Sequence, residues 1–165
     1  MNKDTRILII GAGPTGLTLA LELNRHGFSS VRVVEKLEQL TTRGRALAVI
    51  PKTLEYLDAS GATELILQGA QKVKEVQLHR NGQVQMFRLS GIHKRYDHMT
   101  TLEQEDIERC LIERLKEYGG SVDRGVELTA INSEERIATL KHGDEKETYA
   151  YDLLVGADGV GSTVR

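Results

Sequence analysis

The chain has 165 residues, enough for one domain with its own hydrophobic core. Its 22 basic and 24 acidic residues leave a net charge of −2 with no basic face or tail, which argues against nucleic acid or an anionic membrane surface as a partner. The single cysteine, Cys110, excludes an internal disulfide and fits a reducing compartment.

Ile7-Leu8-Ile9-Ile10 is a run of branched apolar residues and predicts a buried strand of a parallel sheet. From Pro14 to about His26 the pattern predicts a helix that is apolar on nearly all sides (Leu17, Leu19, Ala20, Leu21, Leu23) and packs back on that strand. Gly27 suits its C-cap, and Ser29-Ser30 turn the chain into a second strand, Val31 to Glu35. A secretory signal is a poor reading of Ile7 to Leu23, because a Gly-Ala-Gly-Pro turn and Glu22 interrupt it; the expected location is cytoplasmic.

Between strand and helix lies Gly11-Ala12-Gly13-Pro14-Thr15-Gly16. A diphosphate can rest on a helix N-terminus only where no side chain stands in its way. Gly11 would make the tight turn, Gly13 would let the backbone approach the ligand, and Gly16 would let helix and strand pack closely. Pro14 suits the first helical turn, where its missing N–H is not required, and the free N–H groups with the helix dipole stabilise negative charge. Glu35, at the end of the second strand, is placed to accept hydrogen bonds from the ribose hydroxyls of an adenosine. A carboxylate there repels a 2′-phosphate, so the expected nucleotide is FAD or NAD rather than NADP. The candidate contacts in this part are Gly11, Gly13, Pro14, Thr15, Gly16, Glu35 and Lys36.

The turn-prone stretch after Lys36 ends in Thr41-Thr42-Arg43-Gly44-Arg45, where two arginines can reach a phosphate or carboxylate or can simply be solvated. Pro51 starts a helix carrying Leu54 and Leu57 that ends near Gly61, and a second short one runs from Thr63 to Gln68. Val73 to Arg80 and Gln83 to Leu89, joined by Asn81-Gly82, predict a β-hairpin; it breaks the strand–helix rhythm and so belongs to a different sheet. His93 and His98 lack metal-ligand spacing and are expected at the surface, and no metal site is expected. Leu102 to Tyr118 predicts a helix with Ile107, Leu111 and Leu115 on one face, Thr101 and Gln104 as a capping box, and Gly119-Gly120 as its stop. Cys110, inside it, reads as a small core residue. Residues 122–151 show period-two alternation (Val122, Val126 to Ile131, Ile137 to Leu140, Thr148 to Tyr151) and predict a small antiparallel meander. A second apolar strand, Asp152 to Val155, then leads into Gly156-Ala157-Asp158-Gly159. The fold class is α/β.

A strand followed by Gly-Ala-Asp-Gly-x-x-Ser-x-Val-Arg resembles the second signature of the FAD-binding (group A) flavin-dependent aromatic hydroxylases, the family of para-hydroxybenzoate hydroxylase and of the phenol and polyketide monooxygenases. The resemblance implies that Asp158 and Gly159 lie near the FAD pyrophosphate, in a motif also linked to pyridine nucleotide use. Gly-Arg-Ala-Leu-Ala-Val followed by Thr-Leu-Glu resembles the segment in which an arginine meets the flavin side, which implies that role for Arg45. Leu102-Glu103-Gln104 resembles the family's FAD-facing glutamine, and the strand after Gly125 resembles the one whose backbone flanks the adenine, near Val126. Lys52 departs from the arginine that relatives commonly carry there.

The resemblance further implies a Rossmann-like FAD-binding domain, a parallel sheet with helices plus the meander, truncated before a substrate domain. Residues 1–165 would be its N-terminal part, with the hairpin at 73–89 leading toward the substrate region. The family's third signature, Gly-Asp-Ala, would lie beyond these residues, and the 165 residues alone are expected to be inactive and to hold FAD weakly or not at all. The implied activity is an NAD(P)H-using monooxygenase that hydroxylates a small phenolic or polyketide substrate through a flavin C4a-hydroperoxide. No Ser/His/Asp set or carboxylate pair names a catalytic residue. Two alternatives stand beside it: another two-dinucleotide-binding flavoprotein or dehydrogenase, though no Cys-x-x-Cys supports a disulfide-reducing one, and a non-catalytic nucleotide-binding module. The oligomeric state is not legible.

Overall fold

The structure is a computed structural model that describes residues 2–40, 48–89, 91 and 93–164. In chain order the elements begin with β1 (Ile7–Ile10), α1 (Pro14–Arg25), β2 (Val31–Glu35), β3 (Ala48–Val49), α2 (Pro51–Leu57) and α3 (Ala62–Gly69). They continue with β4 (Gln71–Val73), β5 (Glu75–Arg80), β6 (Gln83–Arg88), β7 (Met99–Thr101) and α4 (Gln104–Glu117). Five further strands follow: β8 (Val122–Arg124), β9 (Val126–Asn132), β10 (Ile137–His142), β11 (Glu145–Ala150) and β12 (Leu153–Gly156). The chain divides into a first unit, Met1–Thr42 with Leu111–Arg165, and a second, Arg43–Cys110.

The first unit is built on a parallel sheet in the order β12-β1-β2-β8, with Ile7 opposite both Leu153 and Val31 and Val33 opposite Val122. All four residues of β1 are buried, as the unbroken apolar run requires of a strand covered on both faces. Leu8, Ile10 and Val34 point to one face, where they join Val126, Leu128, Ala138, Leu140 and Tyr151 in a single core cluster. Ile7, Ile9 and Val33 alternate to the opposite face, along which α1 runs against β1 and β2. The four buried residues of α1 are Gly16, Leu17, Ala20 and Leu21, and Gly27, in the left-handed region, ends the helix as expected.

The meander is the antiparallel sheet β9-β10-β11, and it begins at Val126 rather than Val122. Val122–Arg124 runs parallel to β2 at the end of the first sheet, held there by an ion pair between Asp123 and Arg32 (2.8 Å). Arg32 also meets Glu147 of β11 at 2.5 Å and lies over the Tyr149 ring, tying the two sheets together. Period-two alternation cannot say which sheet a short strand joins; Gly125, with φ +72°, makes the break between β8 and β9. At the other end of the parallel sheet, β12 is apolar but half-exposed.

In the second unit, α2 and α3 are joined by a 3₁₀ turn that ends at left-handed Gly61, and Leu54, Leu57, Ala62 and Ile66 are buried. A three-stranded antiparallel sheet, β3-β7-β4, places Thr100 opposite Val49 and Lys72. Two expectations change here. His98 is not a surface residue but is 6% exposed, its Nδ1 3.1 Å from Asp97 Oδ1; it immediately precedes the unexpected central strand β7. The Thr101–Gln104 capping box does not form: Thr101 is taken into β7, its hydroxyl donates to the Gln71 carbonyl, and α4 starts only at Gln104, with the Ile107 amide donating to the Glu103 carbonyl. Cys110 is half-buried rather than a core residue. The hairpin β5–β6 is a separate two-stranded sheet whose turn residues Asn81 and Gly82 both have positive φ, as a type I′ turn demands. Every residue of its two strands is exposed.

β1 and β12 are clamped at their starting ends. The Arg6 guanidinium donates to both carboxylate oxygens of Asp152 (3.0 and 3.2 Å), and its backbone N–H donates to Oδ2 at 2.8 Å. Side-chain and backbone hydrogen bonds from Arg6 lower the Asp152 carboxyl from its ordinary 3.8 to about 2. A carboxyl lowered on folding stabilises the folded state at neutral pH, and that contribution disappears as pH falls from about 4 to about 2. Urea midpoints measured across this range should therefore show wild type losing its advantage over Asp152→Asn as the pH drops; a constant gap would show that the pair is not coupled to folding.

Candidate functional site

The carboxyl ends of β1 and β12 lie side by side, and the loop that follows each is tied to the end of the neighbouring strand. The Ala157 N–H donates to the Ile10 carbonyl at 2.7 Å, and the Gly11 N–H donates to the Val34 carbonyl at 2.8 Å. β1 has β2 on one side and β12 on the other, so this is the point where strand order reverses, at which open α/β sheets form a ligand crevice.

Two of the three fingerprint glycines are required by the chain itself. Gly11 has φ +102°, and a Cβ there would lie 2.4 Å from the Ala157 carbonyl oxygen; a Cβ on Gly16 would lie 2.0 Å from the Gly11 carbonyl oxygen. Gly13 differs from both. Its φ of −74° is open to any residue, and a Cβ there would meet nothing within 4 Å. It is the N-cap of α1, with Pro14 next, and no side chain caps the helix. The Leu17 N–H donates to the Gly13 carbonyl at 2.9 Å, so the N–H groups of Thr15 and Gly16 precede the first helical bond. The start of α1 is an uncapped, partly positive surface beside open space.

Glu35 points back to this turn. Its Oε2 accepts from the Ala12 N–H at 2.9 Å and its Oε1 from the Leu37 N–H at 3.0 Å, so the carboxylate is fixed by two backbone amides while each oxygen keeps a further lone pair. It lines a cleft with Gly11, Lys36, Val126, Leu128, Asp158 and Thr163. Asp158 closes the opposite loop by accepting the Thr163 N–H at 2.6 Å. Burial pushes the Asp158 carboxyl up, but hydrogen bonds from the Ser162 side chain and from the amides of Thr163, Asp158 and Val164 outweigh it and hold the group below its ordinary value. Thr15, Asp158 and Gly159 also line an adjoining pocket; Gly159 has φ +77° and open space around its Cα.

Of the residues singled out in the sequence, Gly11, Glu35, Lys36, Val126 and Asp158 thus share one cleft, with Gly13, Pro14, Thr15, Gly16 and Gly159 in the two loops that frame it. Gln104 belongs to the second unit, in the first turn of α4, and Arg45 lies outside the described residues. Lys52 is paired on its own helix with Glu55 (2.5 Å). Sequence reasoning missed Leu128 and Thr163. Leu128 was recoverable, because it shares a strand face with Val126 two residues earlier; Thr163 contributes a backbone amide, which no side-chain pattern reveals. Among the described residues no group of three or more His, Cys, Asp or Glu could hold a metal, and no helix is long and apolar enough to cross a membrane.

The family model described as FAD binding domain matches residues 4–165. The chain belongs to the FAD-binding domain family. This FAD-binding domain is 37% identical over 166 residues to 6-methylpretetramide 4-monooxygenase of Streptomyces rimosus, covering 97% of this chain and 29% of that protein. It is 30% identical over 159 residues to rifampicin monooxygenase of Rhodococcus hoagii, covering 96% of this chain and 32% of that protein. Among solved structures it is similar to the anhydrotetracycline hydroxylase OxyS of Streptomyces rimosus, with a TM-score of 0.86 and 30% identity, covering 98% of this chain and 33% of that one. The FAD-binding domain therefore spans about a third of the length of these relatives.

The three glycines should separate by measurement. Gly16→Ala forces its Cβ into a backbone carbonyl and should lower stability by about 3 kcal/mol or prevent folding. Gly13→Ala meets nothing and should change it by no more than about 1 kcal/mol. Equal losses in a thermal or urea melt would mean that the turn is packed differently.

Proposed function

We propose that this domain holds the adenosine diphosphate half of FAD in the cleft at the carboxyl ends of β1 and β12, as part of a flavin-dependent monooxygenase that hydroxylates an aromatic, phenolic or polyketide, substrate. The observation that carries the reading is Gly13: nothing in the chain needs a glycine there, whereas a diphosphate drawn up to the start of α1 does. In this reading the N–H groups of Thr15 and Gly16, with the positive end of the α1 dipole, take the diphosphate, and Pro14 stands at the first helical position, where its missing N–H is not needed by the helix. Glu35 uses its remaining lone pairs for the ribose hydroxyls, with Lys36 beside it. The backbone at Val126 flanks the adenine, and the Asp158–Gly159 loop borders the diphosphate from the opposite side. Arg45 and Gln104 serve the flavin end, and the exposed hairpin β5–β6 belongs to the substrate side.

Bound FAD would supply the redox chemistry, taking a hydride from NADH or NADPH and passing one atom of molecular oxygen to an electron-rich ring. The residues of this domain contribute binding and orientation. Glu35 and Asp158 are each held in place by backbone amides, which suits them to binding and orientation. The relatives named for tetracycline intermediates and for rifampicin support a polycyclic or otherwise aromatic substrate class.

Purified protein carrying this domain should contain flavin, consume oxygen as NADH or NADPH is oxidised, and do so faster when a phenolic compound is added. Nicotinamide oxidation without oxygen uptake would sink the monooxygenase reading in favour of a dehydrogenase. Gly13→Val should retain the fold and lose FAD, measured by flavin absorbance of the purified protein; a variant that keeps FAD at wild-type occupancy would remove Gly13 from the diphosphate site.

A further inference from the structure

The nucleotide cleft takes its walls from two different sheets. Ile10, Val34 and Glu35 belong to the parallel sheet, and Val126, Glu127 and Leu128 belong to β9 of the meander. The sheets meet through an apolar cluster that joins Leu8, Ile10 and Val34 to Val126, Leu128 and Leu140. Apolar contact is non-directional, so it holds the sheets together without fixing how far one lies along the other. Arg32 supplies the direction. Its Nε donates to Asp123 Oδ2 of β8 at 2.8 Å, its Nη2 meets Glu147 Oε1 of β11 at 2.5 Å, and its guanidinium carbon lies 4.9 Å from the centre of the Tyr149 ring. A planar fork that takes two carboxylates and an aromatic face at once restricts β2, β8 and β11 to a narrow range of relative positions.

Arg32, Asp123, Val126, Leu140, His142 and Glu147 also line a second cleft beside the first. Val126 faces both and is the partition between them, so its place depends on the strands that carry it. Arg32 stands three residues before Glu35 on β2, so one strand bears both the acid at the ribose position and the residue that orients the opposite wall. We propose that Arg32 is a positioning residue for the nucleotide: by holding β8 and β11 against β2 it sets the separation of Glu35 from Val126 and Leu128, and with it the fit of the base beyond the ribose. This rests on the functional reading given above, which puts the adenine at Val126. The side chains of Arg32, Asp123 and Glu147 are 24%, 41% and 51% exposed, and ion pairs that exposed add little to stability, so the effect falls on binding of the base and not on folding.

The experiment titrates purified protein carrying this domain, freed of flavin, with ADP and with inorganic pyrophosphate, at a temperature where circular dichroism shows each variant folded. Arg32→Met keeps the aliphatic stem and removes the fork. It should weaken ADP by about tenfold, the scale of one hydrogen bond, and leave pyrophosphate, which reaches only the start of α1, unchanged. Glu147→Ala should show the same split, and the double variant should be no weaker than Arg32→Met alone, because Glu147 acts through Arg32. Equal losses for ADP and pyrophosphate, losses that add in the double variant, or unchanged ADP affinity in Arg32→Met would each overturn the proposal. Should Arg32→Met fail to fold, Glu147→Ala, which cuts the pair at its more exposed end, decides alone: weakened ADP supports the proposal and unchanged ADP overturns it. An unsubstituted protein that binds neither FAD nor ADP would overturn the functional reading itself, and this proposal with it.

Discussion

Everything at the cleft follows from how closely three stretches of backbone approach one another. Gly16 sits on the carbonyl of Gly11, and Gly11 sits against the carbonyl of Ala157, with no room for a methyl group at either step. That contact fixes the distance between α1 and β1 and the distance between the two loops. A bulkier turn would push α1 off the sheet, separating its first amides from the Glu35 carboxylate that is hydrogen-bonded to Ala12. The anion-binding end of the helix and the acid at the end of β2 are thus positioned by backbone packing, without help from a long side chain.

Much of this was legible in the sequence, because the decisive residues act locally. The glycine turn, the apolar run of β1, the α1 stop at Gly27 and the Asn81-Gly82 hairpin each encode a backbone conformation within a few residues, and each appears in the structure. The family itself could be named from the glycine turn and the Asp-Gly motif taken together.

What was not legible depends on partners distant in sequence. Val122 looked like part of the meander because alternation does not say which neighbour a strand chooses; the choice lies with Arg32, ninety-one residues earlier, which claims Asp123. β7 has only three residues and an ordinary polar composition, yet it becomes the central strand between β3 and β4, and in doing so it removes Thr101 from the helix cap it was expected to make, with His98 buried immediately before it. In the site, Thr163 was invisible because its contribution to Asp158 is an amide common to every residue except proline.

The arrangement of the parallel sheet has a consequence for how the chain is assembled during synthesis. β1 and β2 lie within the first thirty-five residues and can meet as soon as they emerge, and the hairpin β5–β6 closes on itself through a two-residue turn. β12, however, joins β1 at a sequence separation of 146, as counted at the Arg6–Asp152 clamp. Long-range pairing of this kind carries a large chain-closure cost and comes late. The nascent chain must therefore leave one flank of β1 open until β12 emerges, and the nucleotide crevice takes shape only after the β1–β2 pair and the hairpin can already have formed.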